Sequence, residues 1–128
     1  MSRFSIEARL RSFVYAGRGL RTLLTSQHNA WVHAVATAAV IVAAALVPLQ
    51  RLEWLALVVA IVLVWMAEAI NTAFEFLCDV ASPGFHPLVA RAKDVAAAAV
   101  LICAMGALVT AAFVFAPHLC RAGAVLRR

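Results

Sequence analysis

The sequence predicts an all-α membrane protein, an amphipathic surface helix followed by three transmembrane helices. Three observations carry that reading. The 128 residues are 66% apolar and only 13% charged, against roughly 45–50% and about 25% in an average soluble domain. Three windows are long and apolar enough to cross hydrocarbon, and arginines crowd the amino-terminal segment. A core built from so short a chain cannot hide this much apolar surface, which excludes a soluble enzyme. Low charge with high hydrophobicity also excludes a disordered chain. The whole of residues 1–128 is read as a single domain.

The surface helix is expected over about residues 4–24. Ile6, Leu10, Phe13, Val14, Leu20 and Leu24 recur at helical spacing and form one apolar stripe, with Arg3, Glu7, Arg9, Arg11, Arg18 and Arg21 around it. These charges interrupt the continuous apolar core that a cleaved signal peptide needs. The pattern fits a helix lying among lipid headgroups. A plain basic arm that only sets topology is the alternative.

A span needs about 20 mostly apolar residues for roughly 30 Å of hydrocarbon. Residues 30–49 contain no Asp, Glu, Lys or Arg. The second span, 54–78, is apolar through Ala67 and then admits Glu68, Asn71 and Glu75. The third, 95–116, is again free of charge, and Pro117 is expected to end it. Helices are the structure these windows allow, because an open sheet leaves backbone groups unsatisfied in lipid and barrel strands alternate in polarity. Arg3, Arg9, Arg11, Arg18, Arg21, Arg91 and Lys93 fall on one side of such a chain, against Arg51, Arg121, Arg127 and Arg128 on the other. The excess predicts a cytoplasmic amino terminus. Cys78, Cys103 and Cys120 lie in or beside apolar runs without a CxxC pair and read as small apolar fillers.

The second span carries the chemistry. Glu68, Asn71, Glu75 and Asp79 are separated by three, four and four residues, which places all four within roughly an 80° arc of one helix face, with Thr72 beside them. An ionisable group near mid-membrane costs at least about 2.5 kcal/mol, so its retention points to function. Three carboxylates on one face repel one another unless protons or a divalent cation compensate them. Mg²⁺ suits such oxygen ligands and is commonly held by one or two carboxylates plus substrate phosphates. Interhelical hydrogen bonding is the bland account, adequate for Asn71 or Thr72 alone but not for the set.

Lys93, the chain's one lysine, and Asp94 open the third span at the level where Asp79 closes the second. Lys93 either neutralises the acidic face or snorkels, or it serves as a phosphate-binding point charge. His86 lies in a polar loop. His28 and His33 flank the start of the first span, and His33 reads as a buried hydrogen-bonding group, since no second His stands at ligand spacing. The sequence has no GxxxxGK[ST], GxGxxG, GxSxG or HExxH, so a nucleotide would bind without a P-loop. No nucleic acid is expected as a partner, because headgroups and topology account for the arginines.

Glu68 to Asp79, EAINTAFEFLCD, resembles the signature E-x-[LIVM]-N-[ST]-[SA]-x-E-x-x-x-D of the prokaryotic diacylglycerol kinase and undecaprenol kinase family. ARAKDVAAAAVLI, from Ala90 to Ile102, is similar to that family's AKD-containing start of the last span, and SFVYAGRGLR, from Ser12 to Arg21, to its entry helix. The resemblance implies an Mg²⁺-dependent integral membrane lipid kinase, a homotrimer with active sites between subunits. It would transfer phosphate from ATP to diacylglycerol or undecaprenol in the bacterial inner membrane. By the same resemblance Glu68 matches the catalytic base, Glu75 a metal-binding carboxylate, and Asn71 and Asp79 supporting polar groups. Lys93, Asp94, Tyr15 and His86 match nucleotide-binding positions. Phosphoryl transfer needs little more than charge neutralisation, an aligned hydroxyl and a base. One position departs: Gln27 stands where the family has a second metal-binding Glu, so weaker metal binding is expected. Asn29 and His33 are similar to the undecaprenol branch, whereas Ala97 to Ala99 lack the glycine that branch often carries. A catalytically weakened homologue and a small proton-coupled transporter are the alternatives, the latter disfavoured because the first and third spans contain no acidic group.

Overall fold

The computed structural model describes residues 5–125, with side chains for residues 5–120. Arg3, Arg127, Arg128 and the Arg121 side chain, which enter the charge comparison above, lie outside the described residues, as does residue 4. Within them the chain forms four α-helices and no strand: α1 (Ile6–Ser26), α2 (His28–Ala45), α3 (Arg51–Ala81) and α4 (Pro87–Val125). The all-α expectation holds, and α2, α3 and α4 are each long and apolar enough to cross a membrane.

Ser5 starts α1 by accepting the Ala8 N–H on its Oγ at 3.3 Å. Glu7 sits in the first turn, where the helix dipole favours an anion, and pairs with Arg11 four residues on at 2.6 Å. Ile6, Leu10, Phe13, Val14 and Leu20 are each more than half exposed, while Leu23 is buried. An apolar stripe left open beside arginines is what a helix lying on a lipid surface presents. Near its end α1 packs against α3, where Gly19 and Leu23 lie opposite Ala69, Thr72 and Phe76.

Only Gln27, in an extended conformation at φ −115° and ψ 121°, separates α1 from α2. α2 ends at Ala45, short of the expected residue 49, in a turn where the Leu46 N–H donates to the Ala43 carbonyl at 3.2 Å. Pro48 accounts for the early stop, because it lacks an N–H and disfavours helical geometry just before it. A capping box then opens α3: the Glu53 carboxylate accepts the Gln50 N–H at 2.7 Å. The 31 residues of α3 extend about 46 Å at about 1.5 Å each, so the helix outruns roughly 30 Å of hydrocarbon and one end stands in the headgroup layer.

Pro87 occupies the first turn of α4, where its missing N–H costs nothing. The expected stop at Pro117 is corrected by the structure: α4 continues through it to Val125. A proline inside a helix loses one backbone bond, a loss that packed neighbours in a membrane can absorb. Here Val114 packs with Ala44 and Leu57 on one side of Pro117, and His118 on the other lies 3.1 Å from Glu53. Glu53–His118 at one end and Asp79–Lys93 at the other fix α3 and α4 as an antiparallel pair. Cys78 is buried, Cys103 half-buried and Cys120 exposed, all as free thiols.

Candidate active site

α2 lies antiparallel to α3 and meets it in three polar rungs. Trp65 donates its indole N–H to Thr37 Oγ1 at 3.0 Å. His33 Nε2 stands 3.8 Å from Glu68 Oε2. Gln27 Nε2 donates to Glu75 Oε2 at 3.3 Å. The last rung explains an oddity of the α1–α2 break: Gln27 occupies the N-cap of α2 but makes no capping bond, because its amide is turned to α3 instead.

The polar face of α3 faces into the molecule. Glu68 is 1% exposed, Asn71 6% and Thr72 4%, and they are the buried polar residues among those described. Asn71 donates to Glu75 Oε1 at 3.1 Å, so Glu75 receives an amide on each oxygen, one from the residue that precedes α2 and one from its own helix. Glu68 Oε2, Asn71 Oδ1 and Thr72 Oγ1 have no hydrogen-bond partner. Such atoms are rare in folded proteins, since each forfeits the bonds it had in water. A cleft of about 240 Å³ opens onto this face between α2, α3 and α4, lined by Asn29, His33, Glu68, Asn71, Glu75 and Val100 among others.

One turn beyond Glu75, Asp79 accepts from Lys93 at 2.5 Å. Lys93 thus makes the neutralising contact that was one of its two sequence readings. Asp94, on the same turn of α4, is exposed. His86 is exposed too and caps α4: its Nδ1 accepts the Leu88 N–H at 3.2 Å. Tyr15 is 60% exposed, with the Arg18 guanidinium 5.8 Å from its ring centre. Glu68, Asn71 and Glu75 therefore line one cleft, with Gln27 bonded to Glu75 and Asp79 paired with Lys93 a turn further on, whereas Tyr15, His86 and Asp94 point outward from the single chain.

The donors fit a magnesium ion only in part. No group of three His, Cys, Asp or Glu side chains converges among the described residues. Glu75 supplies one carboxylate and the Asn71 Oδ1, buried without a partner, a second oxygen, while Gln27 and Asn71 turn their amide N–H groups to Glu75. Such a set suits an ion that takes its remaining ligands from phosphate and water. Sequence reading alone did not find the Trp65–Thr37 rung or the approach of His33 to Glu68. Thr37 and His33 are one turn apart in α2, but nothing in their spacing says which turn of α3 they meet.

Comparison with known proteins identifies the family. A family model described as prokaryotic diacylglycerol kinase matches residues 14–115. An undecaprenol kinase of Bacillus subtilis is 36% identical over 85% of this chain and 89% of its own length. A diacylglycerol kinase of Synechocystis is 35% identical over 86% of this chain, a match that spans 63% of that longer protein. A diacylglycerol kinase of Escherichia coli is 30% identical over 75% of this chain and 79% of its own length. On the matched length, on these identities and on the carboxylate-bearing face buried inside three apolar helices, the chain belongs to the prokaryotic diacylglycerol kinase family.

Proposed function

We propose that this protein is a membrane lipid kinase that transfers the terminal phosphoryl group of ATP to the hydroxyl of a lipid alcohol, diacylglycerol or undecaprenol. The observation that carries the reading is Glu68, a carboxylate 1% exposed with one oxygen unpartnered, on the helix face that continues through Asn71 and Glu75 to Asp79 and Lys93. A buried carboxylate with an unsatisfied oxygen, on a helix face that runs on to charged groups at the helix end, is what a reaction between a hydrocarbon-dwelling alcohol and a water-borne nucleotide requires.

Glu68 accepts the proton of the lipid hydroxyl as the oxygen attacks phosphorus, which contributes typically about 10²- to 10⁴-fold to rate. Asn71 holds Glu75 in place through the 3.1 Å bond. Lys93 exchanges Asp79 for the phosphates when the nucleotide arrives, as a point charge matched to an anion. Glu75, with the oxygens of Gln27 and Asn71, would hold Mg²⁺, which neutralises the charge of the transferring group when bound. Tyr15, His86 and Asp94 are assigned to the nucleotide. Their outward position in one chain supports a site completed by a neighbouring subunit, and the homotrimer that the family resemblance implies would supply it.

Residues 1–128 form one catalytic domain in the bacterial cytoplasmic membrane with the amino terminus inside, a topology supported by the basic excess on the side of α1 and Lys93. The test is transfer of labelled phosphate from Mg·ATP to diacylglycerol and, separately, to undecaprenol in reconstituted vesicles, with Glu68→Gln as the blank. Label in a lipid, absent from the blank, is expected. Full transfer by Glu68→Gln removes the base assignment, and transfer to neither lipid by folded protein removes the function.

A further inference from the structure

We infer that His33 is a positioning residue for Glu68, and that Trp65, tied to Thr37, holds the imidazole in place. The inference rests on the reading of Glu68 as the base and adds a residue to that site.

Glu68 Oε2 is buried and accepts no hydrogen bond, and the nearby group able to donate to it is His33 Nε2 at 3.8 Å. That separation closes to a hydrogen bond by a small side-chain rotation, and such contacts are often long before substrate binds and tighten in the reacting complex. The imidazole is not free to wander. Its side chain is 14% exposed, and its ring meets the Trp65 ring edge-on at 6.5 Å between centroids and 66° between planes, the geometry aromatic pairs prefer. Trp65 is fixed in turn by its 3.0 Å bond to Thr37, one turn along α2 from His33.

The chain of contacts runs from Thr37 to Trp65 to His33 to Glu68 and crosses three times between α2 and α3. Its effect is to present one oxygen of Glu68 to an N–H and leave the other directed to the lipid hydroxyl. It is the logic by which a third group orients a catalytic base in hydrolases, with the carboxylate here in the base's place. His33 has no second histidine or cysteine near it at ligand spacing, and no metal cluster includes it among the described residues.

The experiment compares His33→Leu, His33→Gln and Glu68→Gln in vesicles supplied with Mg·ATP and, in separate assays, undecaprenol or diacylglycerol. Loss of a positioned contact at a base is expected to lower kcat of His33→Leu about 100-fold. The KM for Mg·ATP stays within about twofold, because the nucleotide contacts are untouched. His33→Gln keeps an N–H at similar reach and recovers most of the lost rate. Wild-type kcat in His33→Leu, or equal losses in both variants with KM rising alongside, overturns the inference. If Glu68→Gln is inactive while His33→Leu is not impaired, only the role of His33 falls; if Glu68→Gln turns over normally, the base reading itself falls. Should His33→Leu fail to fold, Trp65→Phe carries the test. It keeps a ring against His33 but loses the bond to Thr37, and its kcat is expected to fall about tenfold; an unchanged kcat there overturns the inference as well.

Discussion

Gln27→Glu is the sharpest probe of the metal arrangement. Gln27 Nε2 lies 3.3 Å from Glu75 Oε2 in a half-buried setting, so a glutamate there puts a second carboxylate about 4 Å from the first. Two like charges at that separation repel by roughly 4 kcal/mol at an effective dielectric of about 20. Side-chain rotation relieves most of this, and retention of a quarter leaves about 1 kcal/mol for a cation to recover, which is about fivefold in concentration at about 1.4 kcal/mol per tenfold. The expected outcome has two parts. In chelator the variant melts below the wild type in detergent, and added Mg²⁺ closes the gap. In vesicles with saturating ATP, the free Mg²⁺ that gives half-maximal rate drops about fivefold. An unchanged Mg²⁺ requirement, with melting indifferent to the ion, refutes the idea that Gln27 and Glu75 share a metal.

Three other outcomes are expected. Lys93→Ala raises the KM for Mg·ATP while hardly moving the melting temperature, because an exposed ion pair such as Lys93–Asp79 adds little to stability; a large thermal loss with unchanged KM reverses that assignment. Leu57→Ala opens a hole in the Ala44–Leu57–Val114 cluster, far along α3 from Glu68, and costs about 2–5 kcal/mol in reversible unfolding, with the KM values of the surviving folded protein unaltered. Light scattering in mild detergent gives a trimer, and a clean monomer with full turnover contradicts a site shared between subunits.

The apolar spans and the polar face were legible in the sequence for a physical reason. Lipid removes water as a hydrogen-bonding alternative, so the windows that span must be helical, and a helix fixes the face on which Glu68, Asn71, Glu75 and Asp79 stand. The same constraint made the ends legible only approximately. Pro48 ended α2 four residues before the end of the apolar window, and Pro117 did not act at all, because Val114 and His118 are held on either side of it by α2 and α3.

What the sequence determined by itself is the local part: which segments are helical, which residues share a face of α3, and that carboxylates there need a compensating partner. Only the tertiary structure decided who the partners are. The register of α2 against α3 sets Gln27 on Glu75 and His33 toward Glu68, and the hairpin of α3 and α4 sets Lys93 on Asp79 and His118 on Glu53. Helical periodicity is a property of one chain segment, whereas the sliding position of one helix along another depends on how small and large side chains from both interlock. No spacing within either helix encodes that position.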